Sequence, residues 1–181
     1  MTAHIRNTVG VKAVEVALDE SRKHVVEVGG NNRGARVDDY LRGVGLAGTA
    51  SPWCAAFVTF CLHKAGWKVG HAAGAAGDPW NMAYCPAWAT EASQARFGLH
   101  LVPFAQARRG DVVLFDWGDD HIADHIELVR SKPVFGRLLT IGGNTQPEAG
   151  TGDQSGKSGG DGVFKRVRRA QDVMCVIRVA Q

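Results

Sequence analysis

Cys54 stands behind Ser51-Pro52-Trp53 and ahead of Ala55-Ala56-Phe57-Val58. This pattern reads as the first turn of a helix. Ser51 suits the N-cap, where its hydroxyl can accept from an unpaired backbone N–H, and Pro52 suits the first helical position. Phe57, Cys61, Leu62 and Ala65 recur at helical spacing, and Gly66 ends the run. A cysteine in that first turn meets free N–H groups and the positive end of the helix dipole. Both favour the thiolate, which is the nucleophilic form. A cysteine in an apolar helix can equally be a small core residue, and Cys61 reads that way. A catalytic Cys54 also needs a histidine elsewhere in the chain. His125 opens an apolar run in which alternation puts His125, Glu127 and Val129 on one face. Asn144, after Gly142-Gly143, could accept from the imidazole N–H and hold the ring. Each of the two has an ordinary structural use by itself. Their order behind a helix-start cysteine is what suggests a nucleophile, a base and an orienting group.

The elements that must position these residues are legible in outline. Val11, Val14, Leu18, Ser21, Val25 and Val28 keep a helical stripe, so a long first helix is expected, stopping at Gly29-Gly30. Val37, Tyr40, Leu41 and Val44 suggest a short second helix, and 86–95 another, with Pro86 in its first turn. The texture changes after Pro103. Apolar runs at 112–115, 126–129, 138–141, 163–168 and 173–179 read as strands joined by short connections. Helices first and strands later imply an α+β fold, with N-terminal helices on a C-terminal antiparallel sheet of about five or six strands. Residues 148–162 hold six glycines and no large apolar side chain. With so little chain after it, that segment reads as a mobile loop inside one domain spanning 1–181, not as a linker. Its Gly156-Lys157-Ser158 imitates a phosphate loop, but Thr151 stands where the first glycine is required. Trp67, Trp80 and Trp88 either line a groove or pack the core.

Composition narrows the class. Hydrophobic residues make 45% of the 181-residue chain and charged residues 22%, as in a soluble globular domain. A net charge of +3 mildly favours an anionic partner and is too weak to argue for nucleic acid. Cysteines at 54, 61, 85 and 175 form no CxxC pair or zinc-ribbon spacing, so free thiols and a reducing site of synthesis are expected. The first ten residues carry no apolar core of a secretory leader, and no run reaches membrane-spanning length. No stable membrane association is expected.

Four stretches in order carry a family resemblance. Pro52-Trp53-Cys54-Ala55-Ala56-Phe57-Val58, Arg109-Gly110-Asp111-Val112-Val113-Leu114-Phe115, Asp124-His125-Ile126-Glu127-Leu128-Val129 and Ile141-Gly142-Gly143-Asn144 resemble the CHAP family of cysteine, histidine-dependent amidohydrolases/peptidases. The form is similar to that of bacteriophage endolysins. Asn31-Asn32-Arg33-Gly34 and Gly160-Asp161-Gly162-Val163-Phe164 extend the similarity. The resemblance implies a papain-like fold and hydrolysis of an amide or peptide bond of bacterial peptidoglycan through a thioester. By position, Cys54 would be the nucleophile, His125 the base and Asn144 the orienting third member. Asn31 or Asn32 would add a polar group to the oxyanion hole, and Trp53 and Trp80 would line the substrate site. Glu127 departs from the pattern, since relatives often carry a small residue there. It would sit by the imidazole and compete with Asn144, or reach solvent or an arginine. No acidic loop precedes Cys54, so neither a metal nor another cofactor is expected. The protein would act as a monomer on the cell wall after cytoplasmic synthesis, reaching it through phage lysis or secretion.

Two other readings stay open. His121-Ile122-Ala123-Asp124-His125 resembles an inverted zinc motif, which would make a zinc-dependent wall amidase if the segment were helical. A wall-binding relative without catalysis is the other. The basic stretch Lys165, Arg166, Arg168 and Arg169 would attract an anionic wall or form a solvated strand face.

Overall fold

The computed structural model describes residues 7–68, 82–147 and 161–180. The helices are α1 (Thr8–Arg22), α2 (Ala35–Arg42), α3 (Cys54–Lys64) and α4 (Cys85–Ser93). The strands are β1 (Leu99–Val102), β2 (Val112–Phe115), β3 (His125–Val129), β4 (Arg137–Thr145), β5 (Gly162–Arg169) and β6 (Val173–Val179). They form one sheet in the order β1-β6-β2-β3-β4-β5, with every neighbouring pair antiparallel. This is the α+β architecture expected from the sequence.

Helix α3 is the hub. Ala55, Ala56, Phe57, Val58, Thr59, Cys61 and Leu62 are all fully buried, because α1 and α2 pack on one side of the helix and β3 and β4 on the other. A helix apolar all round can only sit inside. Alternation divides the sheet: Val112, Leu114, Ile126 and Leu128 join the core beneath the helices. Val113, Phe115 and Val129 build a second cluster with Leu138 and Val176.

Two buried carboxylates tie the layers. Asp111 accepts from Asn7 at the start of α1 (2.8 Å) and from Arg178 on β6 (3.0 and 2.8 Å). A side chain on Gly10 would run into the Gly110 carbonyl, so both glycines are needed for that close approach. Glu20 on α1 accepts from Arg36 on α2 (2.7 and 2.6 Å) and from the Tyr40 hydroxyl (2.6 Å). Tyr40 in turn stacks on Trp53, the residue before the helix of Cys54.

Several boundaries differ from the sequence reading. Helix α1 stops at Arg22, because His24 has φ +53 and the chain becomes extended. Val26 then bridges Gly162, and the Val25 carbonyl accepts from Val163 N (3.0 Å), so Val25 belongs to strand-like pairing, while Val28 N donates to the Arg33 carbonyl (2.9 Å) across the next turn. Strand β1 was not anticipated; it covers the edge of β6. Ser51 does not cap α3. Its hydroxyl pairs with Thr49 (2.8 Å), and Trp53 occupies the N-cap without a side-chain acceptor.

Burial opposes charge on Glu20, but hydrogen bonds from Arg36, Lys23 and Tyr40 hold its pKa down at about 2, against 4.5 ordinarily. A depressed carboxylate contributes stability that is present above pH 4.5 and lost as pH falls through about 2. Glu20→Gln is expected to lower unfolding free energy at pH 7 by about 2–3 kcal/mol. Denaturant melts over a pH series should also show a shallower loss of stability below pH 4.5 than in the parent.

Candidate active site

Two element starts meet at the site. Cys54 is the first residue of α3 and His125 the first of β3, and both are nearly sealed from solvent, at 6% and 5% exposure. Strand β4 passes close to α3 because of a glycine: a side chain at Gly143 would strike the Trp53 ring and Phe57. Next to it, Asn144 lies inside β4 at a register irregularity, with φ +55. It does not follow the strand, as the sequence reading had it.

The hydrogen bonds assign partners differently from the sequence expectation. The imidazole Nε2 of His125 meets Glu127 Oε1 at 3.2 Å. Glu127 is fully buried and is gripped from the far side by Arg168, through Nε at 3.1 Å and through Nη2. Gly142 makes the room, since a Cβ there would lie 2.6 Å from Glu127 Cγ. Asn144 is engaged elsewhere. Its Oδ1 accepts from Trp53 N (3.2 Å) and its Nδ2 donates to Asp161 (3.4 Å). The place beside the imidazole that was expected for Asn144 is therefore held by Glu127. A carboxylate two residues along the same strand shares the face of the histidine and is reached without crossing to β4.

Charges alternate through this line. Desolvation of the buried His125 ring opposes its protonation, but hydrogen bonds to Cys54 and Glu127 outweigh it and raise its pKa to about 9. Burial likewise opposes the Glu127 charge, yet hydrogen bonds to His125 and Arg168 hold it at about 2. The Cys54 thiol is pushed well below its usual range by a hydrogen bond from Cys85, then by His125, with the Ala55 backbone N–H adding to them. With Nε2 turned to Glu127, Nδ1 is the nitrogen left for the sulfur. Both shifts run in the direction that favours a thiolate beside an imidazolium.

Aromatic rings close the site on one side. Trp117 stacks on His125 (centroids 5.4 Å apart) and on Phe115 (5.9 Å), and the Arg168 guanidinium lies over both Trp117 and Phe115. On the other side, Cys54 opens onto a cleft of about 310 Å³ that Ser51, Pro52, Tyr84, Cys85 and Asp124 help to line.

The remaining sequence candidates are dispersed. Trp53 is fully buried, and its indole N–H donates to Glu27 (2.9 Å), so the ring is a packing element and does not line the cleft. Asn31 is exposed. Asn32 is buried with φ +56, and its Oδ1 finds no partner among the described residues. Trp80 and residues 148–160 lie outside the described residues. Trp67 and Trp88 stack on each other in the core. The segment 121–125 is a turn leading into β3, with His121 exposed at φ +64, so it lacks the helix an inverted zinc motif needs. Arg168, taken from sequence as wall-facing or solvated, is instead the partner of Glu127. Trp117 and Cys85 were not foreseen; only contacts formed by folding identify them.

Residues 46–144, more than half of the chain, match the family described as CHAP domain. No curated protein matches. Among solved structures, the chain is similar to the crystal structure of Ly7917, with 16% identity and a TM-score of 0.43, covering 92% of this chain and 62% of that one. It is similar also to Ly7917 with the hydrolyzing product of MDP, with 17% identity and a TM-score of 0.43, covering 92% of this chain and 63% of that one. The chain thus spans less than two thirds of the length of Ly7917.

Glu127→Gln removes the negative charge that favours the imidazolium. His125 should then titrate below about 9, toward its ordinary 6.5, with the shift read from imidazole resonances across a pH series. An unchanged titration would contradict the pairing with Glu127.

Proposed function

Because the chain belongs to the CHAP domain family, we propose that it hydrolyses an amide or peptide bond of bacterial peptidoglycan, with Cys54 as nucleophile and His125 as general base and acid. The observation that carries this reading is the pairing of a helix-start thiol, which lines an open cleft, with a strand-start imidazole.

The Cys54 sulfur attacks the substrate carbonyl carbon, forming the C–S bond and moving the carbonyl electron pair onto oxygen. Helix α3 has no side-chain cap, so its first-turn N–H groups are available to that oxyanion. His125 gives its proton to the leaving amine as the C–N bond breaks. The neutral ring then takes a proton from water as that water attacks the thioester, the C–S bond breaks, and the Cys54 thiolate is restored beside the imidazolium. Glu127 orients the imidazole and Arg168 compensates the charge of Glu127. Asn144, through its hydrogen bond to Trp53 N, fixes the turn that delivers Cys54. A monomer acting on the wall after phage-driven release or secretion is the setting we propose.

Cys54→Ala should cut release of soluble fragments from purified sacculi by at least about 1000-fold, with circular dichroism and thermal melting unchanged. Lysis at the parent rate would refute the assignment. Sensitivity to chelators, with indifference to thiol alkylation, would favour the zinc reading. Binding to sacculi by the parent without fragment release would favour a non-catalytic role.

A further inference from the structure

Cys85 forms and breaks no covalent bond in the acyl-transfer sequence, yet its sulfur lies 3.6 Å from that of Cys54. Cys85 is the first residue of α4, just as Cys54 is the first of α3, so two helix starts each present a thiol to the same cleft. Both are exposed by only 6%, and both line the cleft, which gives a small oxidant a route to them. The sulfurs are unbonded but in contact. A disulfide of about 2.05 Å requires them to close by roughly 1.5 Å. No other thiol is so placed. Cys61 is two turns up α3, about 10 Å along the axis, and sealed in the core. Cys175 stands on β6, paired with Leu114 in the middle of the sheet.

We propose that Cys85 is a resolving thiol, so that a peroxide converts the site to a Cys54–Cys85 disulfide that switches the hydrolase off reversibly and protects its nucleophile. The inference rests on the reading of Cys54 as the nucleophile. The Cys54 thiolate attacks one peroxide oxygen and the O–O bond breaks. Cys54 becomes a sulfenic acid, and the hydroxide released takes a proton and leaves as water. Cys85 sulfur then attacks Cys54 sulfur, the S–O bond breaks, and the departing hydroxyl leaves as a second water with the Cys85 proton. The two sulfurs lose two electrons in all, and the peroxide gains them. A dithiol reductant returns both thiols. The order of roles follows from the surroundings: Cys54 has Cys85, His125 and the Ala55 N–H to lower its pKa, whereas contact with Cys54 and burial push the Cys85 thiol up, so Cys54 is the attacker and Cys85 the resolver. With the sulfur tied to Cys85, no thiolate faces the substrate carbonyl.

The test uses the full chain, fully reduced and then treated with hydrogen peroxide. Peptide mass mapping without reductant should find a Cys54–Cys85 cross-link lighter by two hydrogens. Lysis of sacculi should fall at least about tenfold and return with dithiothreitol. In Cys85→Ala, compared with its own untreated activity, peroxide should instead drive Cys54 to the sulfinic acid, with two added oxygens, and dithiothreitol should not restore lysis. The proposal is overturned if the parent oxidises without that cross-link, or if Cys85→Ala recovers as fully as the parent. A reduced parent that never lyses sacculi would refute the hydrolase reading, while the mass map would still decide the disulfide.

Discussion

A carboxylate without access to water must be paired, or the fold loses several kcal/mol. Glu127 is such a group, and the site is built around satisfying it. Arg168 grips it from β5 and His125 meets it from the start of β3. Gly142 on β4 leaves the space it occupies. The alternation of cation, anion, cation and anion from Arg168 through Glu127 and His125 to Cys54 leaves no net charge in the line. Each charge is the reason its neighbour can be ionised. Those partners raise the pKa of an imidazole with 5% exposure, against the desolvation that lowers it.

The position of the sulfur is set by the backbone around it. Helix α3 is buried from Cys54 through Thr59, so its first residue is held by packing. The turn before it is held at the Trp53 N–H by Asn144 and at the Trp53 indole by Glu27. Glu27 also accepts from Asp161 N (3.3 Å), and Asp161 receives the Asn144 amide, so the entry of β5 and the turn before Cys54 belong to one network. Tyr40 joins that turn to the Glu20–Arg36 pair between α1 and α2. An N-cap at Trp53 without a side-chain acceptor costs helix stability.

Much of this was visible in the chain. The apolar period around Phe57, Cys61 and Leu62 located the central helix, and the alternation in 125–129 put His125 and Glu127 on one face. The α+β layout followed from helical stripes preceding strand runs. Glu127 was recognised as near the imidazole, but the choice between it and Asn144 depended on where β4 bends at Gly142, which one sequence does not specify. Val25 and Val28 extended a helical stripe by chance, since valines serve strands equally well. Ser51 satisfied the local rule for a cap, yet its hydroxyl pairs with Thr49 two residues back, and the helix starts behind Trp53. Arg168 and Cys85 lie 43 and 40 residues, respectively, from His125, and no local pattern links them to it.

The ionised sulfur at neutral pH is the claim on which the account turns, and thiolate ultraviolet absorbance measures it directly. The signal is taken as the difference between the parent and Cys54→Ser across a pH titration. The account predicts a thiolate already present at pH 7 that disappears only in acid. A difference signal that emerges only near 9.0, the ordinary thiol value, would contradict it.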